Sequence, residues 1–179
     1  MRLSALVLLA TCASPSLAQG VMTSGAPHAK PSPVADIRVN WHTMTGYLLQ
    51  SAMDVPEDKY SFKPTPDVRS FGELVAHVAG AQSMFCAMAL GEKPPAEDAI
   101  TASTKAQLVD ALKQSNRNCD RAYAQSDAES GATVDVFGQG QSRLSTLILN
   151  ATHDAEHYGN IVTYMRMKGM VPPSSKPAK

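Results

Sequence analysis

The chain is 179 residues long, with 16 basic and 16 acidic side chains and a formal net charge of zero. That balance offers no broad positive field, which argues against nucleic acid or an anionic membrane surface as partner. The length suffices for a single domain with one core.

Residues 1–18 read as a secretory signal peptide: Arg2, an apolar run from Leu3 to Ala10, and a small-residue ending at Ser16-Leu17-Ala18. The run is far shorter than the roughly 20 residues of a membrane span. The expected product is therefore exported, periplasmic or secreted, with no membrane span. Residues 19–34, small, polar and proline-bearing, are expected to be a flexible leader. A helical domain is then expected over 35–171, followed by a disordered tail over 172–179.

The first helix is predicted from about Asp36 to Met53, ending before Asp54-Val55-Pro56 because proline disfavours helix in the residue preceding it. After a proline-rich loop, Ser70-x-x-Glu73 makes a capping box that opens a second helix, ending near Leu90-Gly91. A third opens at Ser103 or Thr104, with Thr104-x-x-Gln107 as a similar cap, and runs to about Gln125. A glycine-bearing connection leads to a fourth helix from about Ser142, with Gly169 as its cap and Pro172-Pro173 beyond. Within the connection, Val134 to Phe137 has an extended pattern but no visible partner strand. The fold class expected is all-α, a four-helix bundle.

Two cysteines follow the signal segment, Cys86 and Cys119. On successive antiparallel helices their heights would differ by on the order of 10–15 Å at the helical rise, too far for a disulfide. Two free, buried thiols are expected.

On a wheel of about 100° per residue the last helix divides into three sectors. Leu144, Leu147, Ala151, Ala155, Tyr158, Val162 and Met165 form an apolar stripe, and Ser145, Thr152, Glu156, Gly159, Thr163 and Arg166 form a solvent face. The third sector holds Thr146, Asn150, His153, His157, Asn160 and Tyr164 and carries no full charge. His153 and His157, one turn apart, can approach one ion together. Alone the spacing is a weak motif, and two histidines that only hydrogen-bond are the commoner outcome. His77, at the edge of the second helix's apolar stripe, is the candidate third ligand, whereas Cys86 falls on roughly the opposite side. Glu73 and Asp154 are the candidate proton carriers. Glu73 is also explained by its cap, and Asp154, intruding on the apolar stripe, needs either a bond to another helix or a supporting role behind a histidine. His42, beside Trp41, reads as structural or surface.

The segments "YSFKPTPDVRSFGELVAHVAGAQSMFC" (Tyr60 to Cys86) and "HDAEHYGNIVTYMRMKGMVPPSS" (His153 to Ser175) together resemble the DinB/YfiT-like family of small metal-binding four-helix proteins. The resemblance implies a bundle that departs from up-down alternation and a three-histidine site at His77, His153 and His157. It implies a divalent ion, nickel or zinc, and commonly a homodimer. Relatives include thiol-dependent transferases, from which an export signal is a departure. The function expected is an exported metal-dependent hydrolase or transferase acting on an unidentified small molecule. The alternative is a non-catalytic metal or small-ligand binding protein of the cell envelope.

Overall fold

Ser32 opens the first helix. Its hydroxyl accepts from the Ala35 amide, and Pro33 supplies a first residue whose missing N–H costs nothing there. α1 (Pro33–Asp54) therefore begins inside the expected leader, and it stops where Val55, preceding Pro56, turns extended. The computed structural model describes residues 30–96 and 99–177, so the expected signal peptide and most of the expected leader lie outside the described residues. α2 (Phe71–Leu90) and α3 (Lys105–Tyr123) both carry the predicted capping boxes, at Ser70/Glu73 and Thr104/Gln107. α2 ends on Gly91, whose φ of 73° suits a residue without Cβ.

The route from α3 to the last helix holds more than was expected. A single-turn helix α4 (Asp127–Ser130) is capped by its own box, Ser126/Glu129. Val134 does have a partner: β1 (Thr133–Val136) pairs antiparallel with β2 (Gln139–Ser142). Phe137 and Gly138, both at positive φ, close the hairpin in the two-residue manner that matches strand twist. The sequence concealed β2 because Gln139-Gly140-Gln141-Ser142 has no apolar alternation. α5 (Arg143–Met167) follows at once from its cap Ser142. Beyond it, part of the expected tail is in place: Pro173–Ser175 form a 3-10 turn, and the Tyr158 hydroxyl donates to Ser174 Oγ at 2.7 Å.

Side-chain bonds fix the direction of each helix. Lys105 Nζ donates to the carbonyls of Met53 and Val55, and Arg38 Nε to that of Tyr123, so α1 and α3 run antiparallel. Gly72 lies against Leu108 and Gln82 bonds Ser115, so α2 and α3 run parallel. The Tyr164 hydroxyl donates to the carbonyl of Arg69 while His153 meets His77, so α5 runs antiparallel to α2. The order is up, down, down, up, with the segment between α2 and α3 returning along the bundle's length.

That return corrects the reading of the cysteines. Cys86 and Cys119 each sit about four turns into their helices, and parallel helices bring them level. They form a disulfide with Cα atoms 5.2 Å apart. The antiparallel assumption was what had separated them.

Among the described residues three apolar clusters fill the structure, one of them packing Met84, Phe85 and Met88 of α2 against Val134 and Val136 of the hairpin, and the other two lie within the bundle. One surrounds Leu48, Phe71, Val78, Leu112 and Ile161; the other gathers Trp41, Tyr123 and Leu147 around the disulfide. Fully buried Gln82 knits the helices at mid-height: its Oε1 accepts from Trp41 Nε1 at 2.9 Å, and its Nε2 donates to Ser115 Oγ and Asn116 Oδ1, each at 2.7 Å. α2 is long and apolar enough to cross a membrane, but most of it is buried inside the bundle, as a core helix requires.

Candidate metal centre

α2 and α5 are antiparallel neighbours, and three histidines converge at mid-height between them. Nε2 of His77 lies 2.9 Å from Nε2 of His157 and 3.2 Å from that of His153, and the last two are 3.1 Å apart. The polar sector of α5 faces inward more than the wheel suggested. Thr146, Asn150, His157 and Tyr164 are buried, and so is Asp154, whereas Ala155 of the apolar stripe is exposed. α5 packs against both α1 and α2, so its buried arc is wider than a single stripe.

Burial keeps His153 neutral. Its pKa falls from 6.5 to about 4, chiefly through desolvation and further through the nearby His157, His77 and Arg69. A neutral imidazole retains the lone pair that ligation needs. Asn160 reaches Nδ1 of His157 at 3.3 Å. The amide nitrogen Nδ2 is the atom that faces the ring, in a contact whose donor is set by the imidazole tautomer. Nδ1 of His153 is buried without a hydrogen-bond partner. An aromatic wall stands behind it: Phe85 meets the His153 ring edge-on at 5.5 Å, and Phe137, exposed at the hairpin tip, meets Phe85 at 6.1 Å.

The donor set fits a divalent ion. With metal–nitrogen bonds of about 2.1 Å, three facial positions of an octahedron have edges of about 3.0 Å and those of a tetrahedron about 3.4 Å. The observed edges of 2.9–3.2 Å are short enough for His77, His153 and His157 to hold one ion together.

The two candidate proton carriers are placed very differently. Glu73 lines the same recesses as the histidines, yet its Oε2 accepts from the Ser70 amide at 2.6 Å and pairs with Lys63 at 3.0 Å. Those bonds, the Ser70 amide first, hold its pKa below the usual carboxylate range. Asp154 is fully buried, and neither expected role is realised: both carboxyl oxygens lack a hydrogen-bond partner, as does Oδ1 of Asn150 one turn earlier. Desolvation pushes the Asp154 pKa well above the usual carboxylate range, penalising its charged form. His42 is exposed against the Trp41 ring, away from the triad.

Two recesses open at the triad. One of about 610 Å³ has His77 in its wall, between the start of α2, Tyr60-Ser61 and the segment from Ile100 to Ser103. The other, of about 950 Å³, has His157 and Asn160 in its wall, opposite Lys63 to Arg69. Arg69 borders both. Sequence reading missed Arg69, Phe85 and Phe137. Arg69 stands just outside the helix it precedes, and the two phenylalanines meet only through the hairpin.

The DinB superfamily profile matches residues 40–161. Among curated proteins none matches the chain significantly. Solved structures with a similar fold include a DinB-like protein from Bacillus cereus, with a TM-score of 0.68 at 15% identity, the alignment covering 78% of this chain and 95% of that one. A DinB-like protein from Bacillus subtilis aligns with a TM-score of 0.63 at 21% identity, over 80% of this chain and 99% of the other. A protein assigned to the DinB family from Exiguobacterium sibiricum gives 0.62 at 18% identity, over 79% and 95%.

Proposed function

The chain belongs to the DinB superfamily, and we propose that it is an exported member binding one divalent ion, nickel or zinc, through His77, His153 and His157. The observation that carries this is the mutual approach of three Nε2 atoms to 2.9–3.2 Å beside two recesses. Three neutral imidazoles leave the ion's charge uncompensated, so when bound it supplies Lewis acidity to a small molecule reaching it from the recesses. The buried Cys86–Cys119 disulfide supports export, since such bonds persist in oxidising compartments.

Each residue's part follows from its setting. His153 and His157 are fixed by the rigid α5, and Asn160 orients the second. Phe85 excludes water behind His153. Glu73, bonded to Ser70 and Lys63, orders the helix start rather than carrying protons. Catalysis on this frame is metal-assisted hydrolysis or transfer in which the substrate supplies much of its own proton chemistry.

A second reading, binding without turnover, is favoured by the engaged carboxylate of Glu73 and the sealed one of Asp154. The metal assignment is tested on protein purified without a histidine tag and dialysed against nickel or zinc. Wild type should hold one ion per chain and His153→Ala almost none; equal contents would overturn the site. Saturable, metal-dependent turnover of ester, amide or thiol-transfer substrates would exclude the binding-only reading.

A further inference from the structure

We propose that Arg69 makes the recesses beside the triad a carboxylate site, and that the protein's ligand is an organic carboxylate with an apolar body. The inference rests on the metal reading and adds the ligand's chemical class.

Among the described residues Arg69 is the one arginine whose side chain has no hydrogen-bond or ion-pair partner. Arg38 and Arg143 donate to backbone carbonyls, Arg121 pairs with Glu92, and Arg117 and Arg166 bond neighbouring side chains. Its backbone, by contrast, is fixed, because its carbonyl accepts from the Tyr164 hydroxyl at 2.8 Å. An exposed guanidinium with its five donors unused is thus tethered, through its fixed backbone, beside the seam of α2 and α5. It borders both recesses, and its charge is felt at His153 and at Tyr164.

The other charges sharpen the assignment. Lys63 is spent on Glu73. Glu57 accepts from the Lys105 amide at the rim of the smaller recess, and Asp67 lies exposed on the larger. Neither acid reaches Arg69 within ion-pair distance. Arg69 at the border and a dication held by the imidazoles therefore make the recesses positive, and the planar guanidinium can donate two parallel bonds to a carboxylate. The smaller recess adds an apolar wall from Tyr60, Ala76, Ile100, Ala102 and Leu108, which fits a hydrocarbon or aryl body rather than a bare anion.

The test uses the full exported chain loaded with cobalt(II), whose visible absorption reports on groups entering the metal's surroundings. Wild type, Arg69→Gln and Arg69→Lys are first compared for metal content, then titrated with hexanoate and benzoate and with the corresponding amides. The expected result is equal metal in all three, with carboxylate binding weakened at least tenfold in Arg69→Gln and partly restored in Arg69→Lys. The amides should bind weakly and alike throughout. Unchanged carboxylate binding in Arg69→Gln, or amides that bind as well as carboxylates, would overturn the proposal while leaving the metal site standing. Loss of metal in Arg69→Gln would show a structural role and overturn it too. A wild type that takes up no metal removes the metal reading itself, and this one with it.

Discussion

Replacing both cysteines, Cys86→Ala with Cys119→Ala, isolates what the bridge contributes to the bundle. The residues are 33 apart in sequence, and closing a ring of that size in the unfolded chain removes conformational entropy worth roughly 4 kcal/mol at 25 °C. Packing adds little, since alanine keeps most of the buried volume and leaves no thiol to desolvate. The Cys119 sulfur lies 3.3 Å from the Gln82 carbonyl but, being in the disulfide, has no hydrogen to donate, so removing that contact costs little. For a domain of this size each kcal/mol moves the midpoint by about 2–4 °C, so Tm should fall by about 8–16 °C. The measurement is far-ultraviolet circular dichroism of metal-free protein, melted with chelator present, beside urea titrations at 25 °C. Wild type under strong reductant should approach the variant. A variant within about 1 kcal/mol of wild type would refute the ring-closure argument.

Two further predictions concern protons. His153 has a folded pKa of about 4 against 6.5 when exposed, so below pH 6.5 the unfolded chain binds a proton that the native one resists. Metal-free protein should therefore lose stability as pH falls from about 6.5 to 4, by at most about 3 kcal/mol and less for the partial solvent access of the ring. Urea unfolding at pH 7 and 4.5 should show a shallower loss in His153→Gln; parallel slopes would contradict the assignment. Asp154 acts in the opposite sense: its folded pKa is raised, so its penalty is absent below the unfolded value near 4 and grows as pH rises. Asp154→Asn, similar in shape and uncharged, should exceed wild type by at least about 1 kcal/mol at pH 8 and match it near pH 4, and a variant less stable at pH 8 would mean that the buried carboxyl has a partner.

Local signals in the chain were reliable because they are short-range. Ser70-x-x-Glu73 and Thr104-x-x-Gln107 bond within one turn and need no knowledge of the rest. His153 and His157 share a face by helical geometry alone, and His77 followed from the apolar edge of its own helix. The departure from up-down alternation that the family resemblance implied is present, and what failed was the antiparallel placement assumed for the two cysteine helices. The direction of α3 depends on a connection whose composition says little about where it goes, and the free-thiol expectation failed with it. The hairpin failed for a related reason: β2 is polar, and its pairing is set by the Phe137-Gly138 turn rather than by a buried face.

The same topology accounts for both the bridge and the metal centre. With α3 parallel to α2 along one flank of α2, another flank packs against α5, which runs antiparallel to it. On that flank His77 meets the two histidines of α5. On the α3 flank Cys86 meets Cys119, which is why Cys86 could be set aside as a ligand from the helix wheel even though its true partner was not foreseen. A bridge that pins α2 to α3 about two turns from His77 also fixes the height of the first ligand against the other two. Converging donors 2.9–3.2 Å apart repel unless an ion or proton lies among them, so they need stiff elements to hold them. The disulfide, the Gln82 knot beside it and the long uninterrupted α5 provide that stiffness. The hairpin tip and the segment carrying Arg69, which lie outside the long helices, are left to shape what can approach.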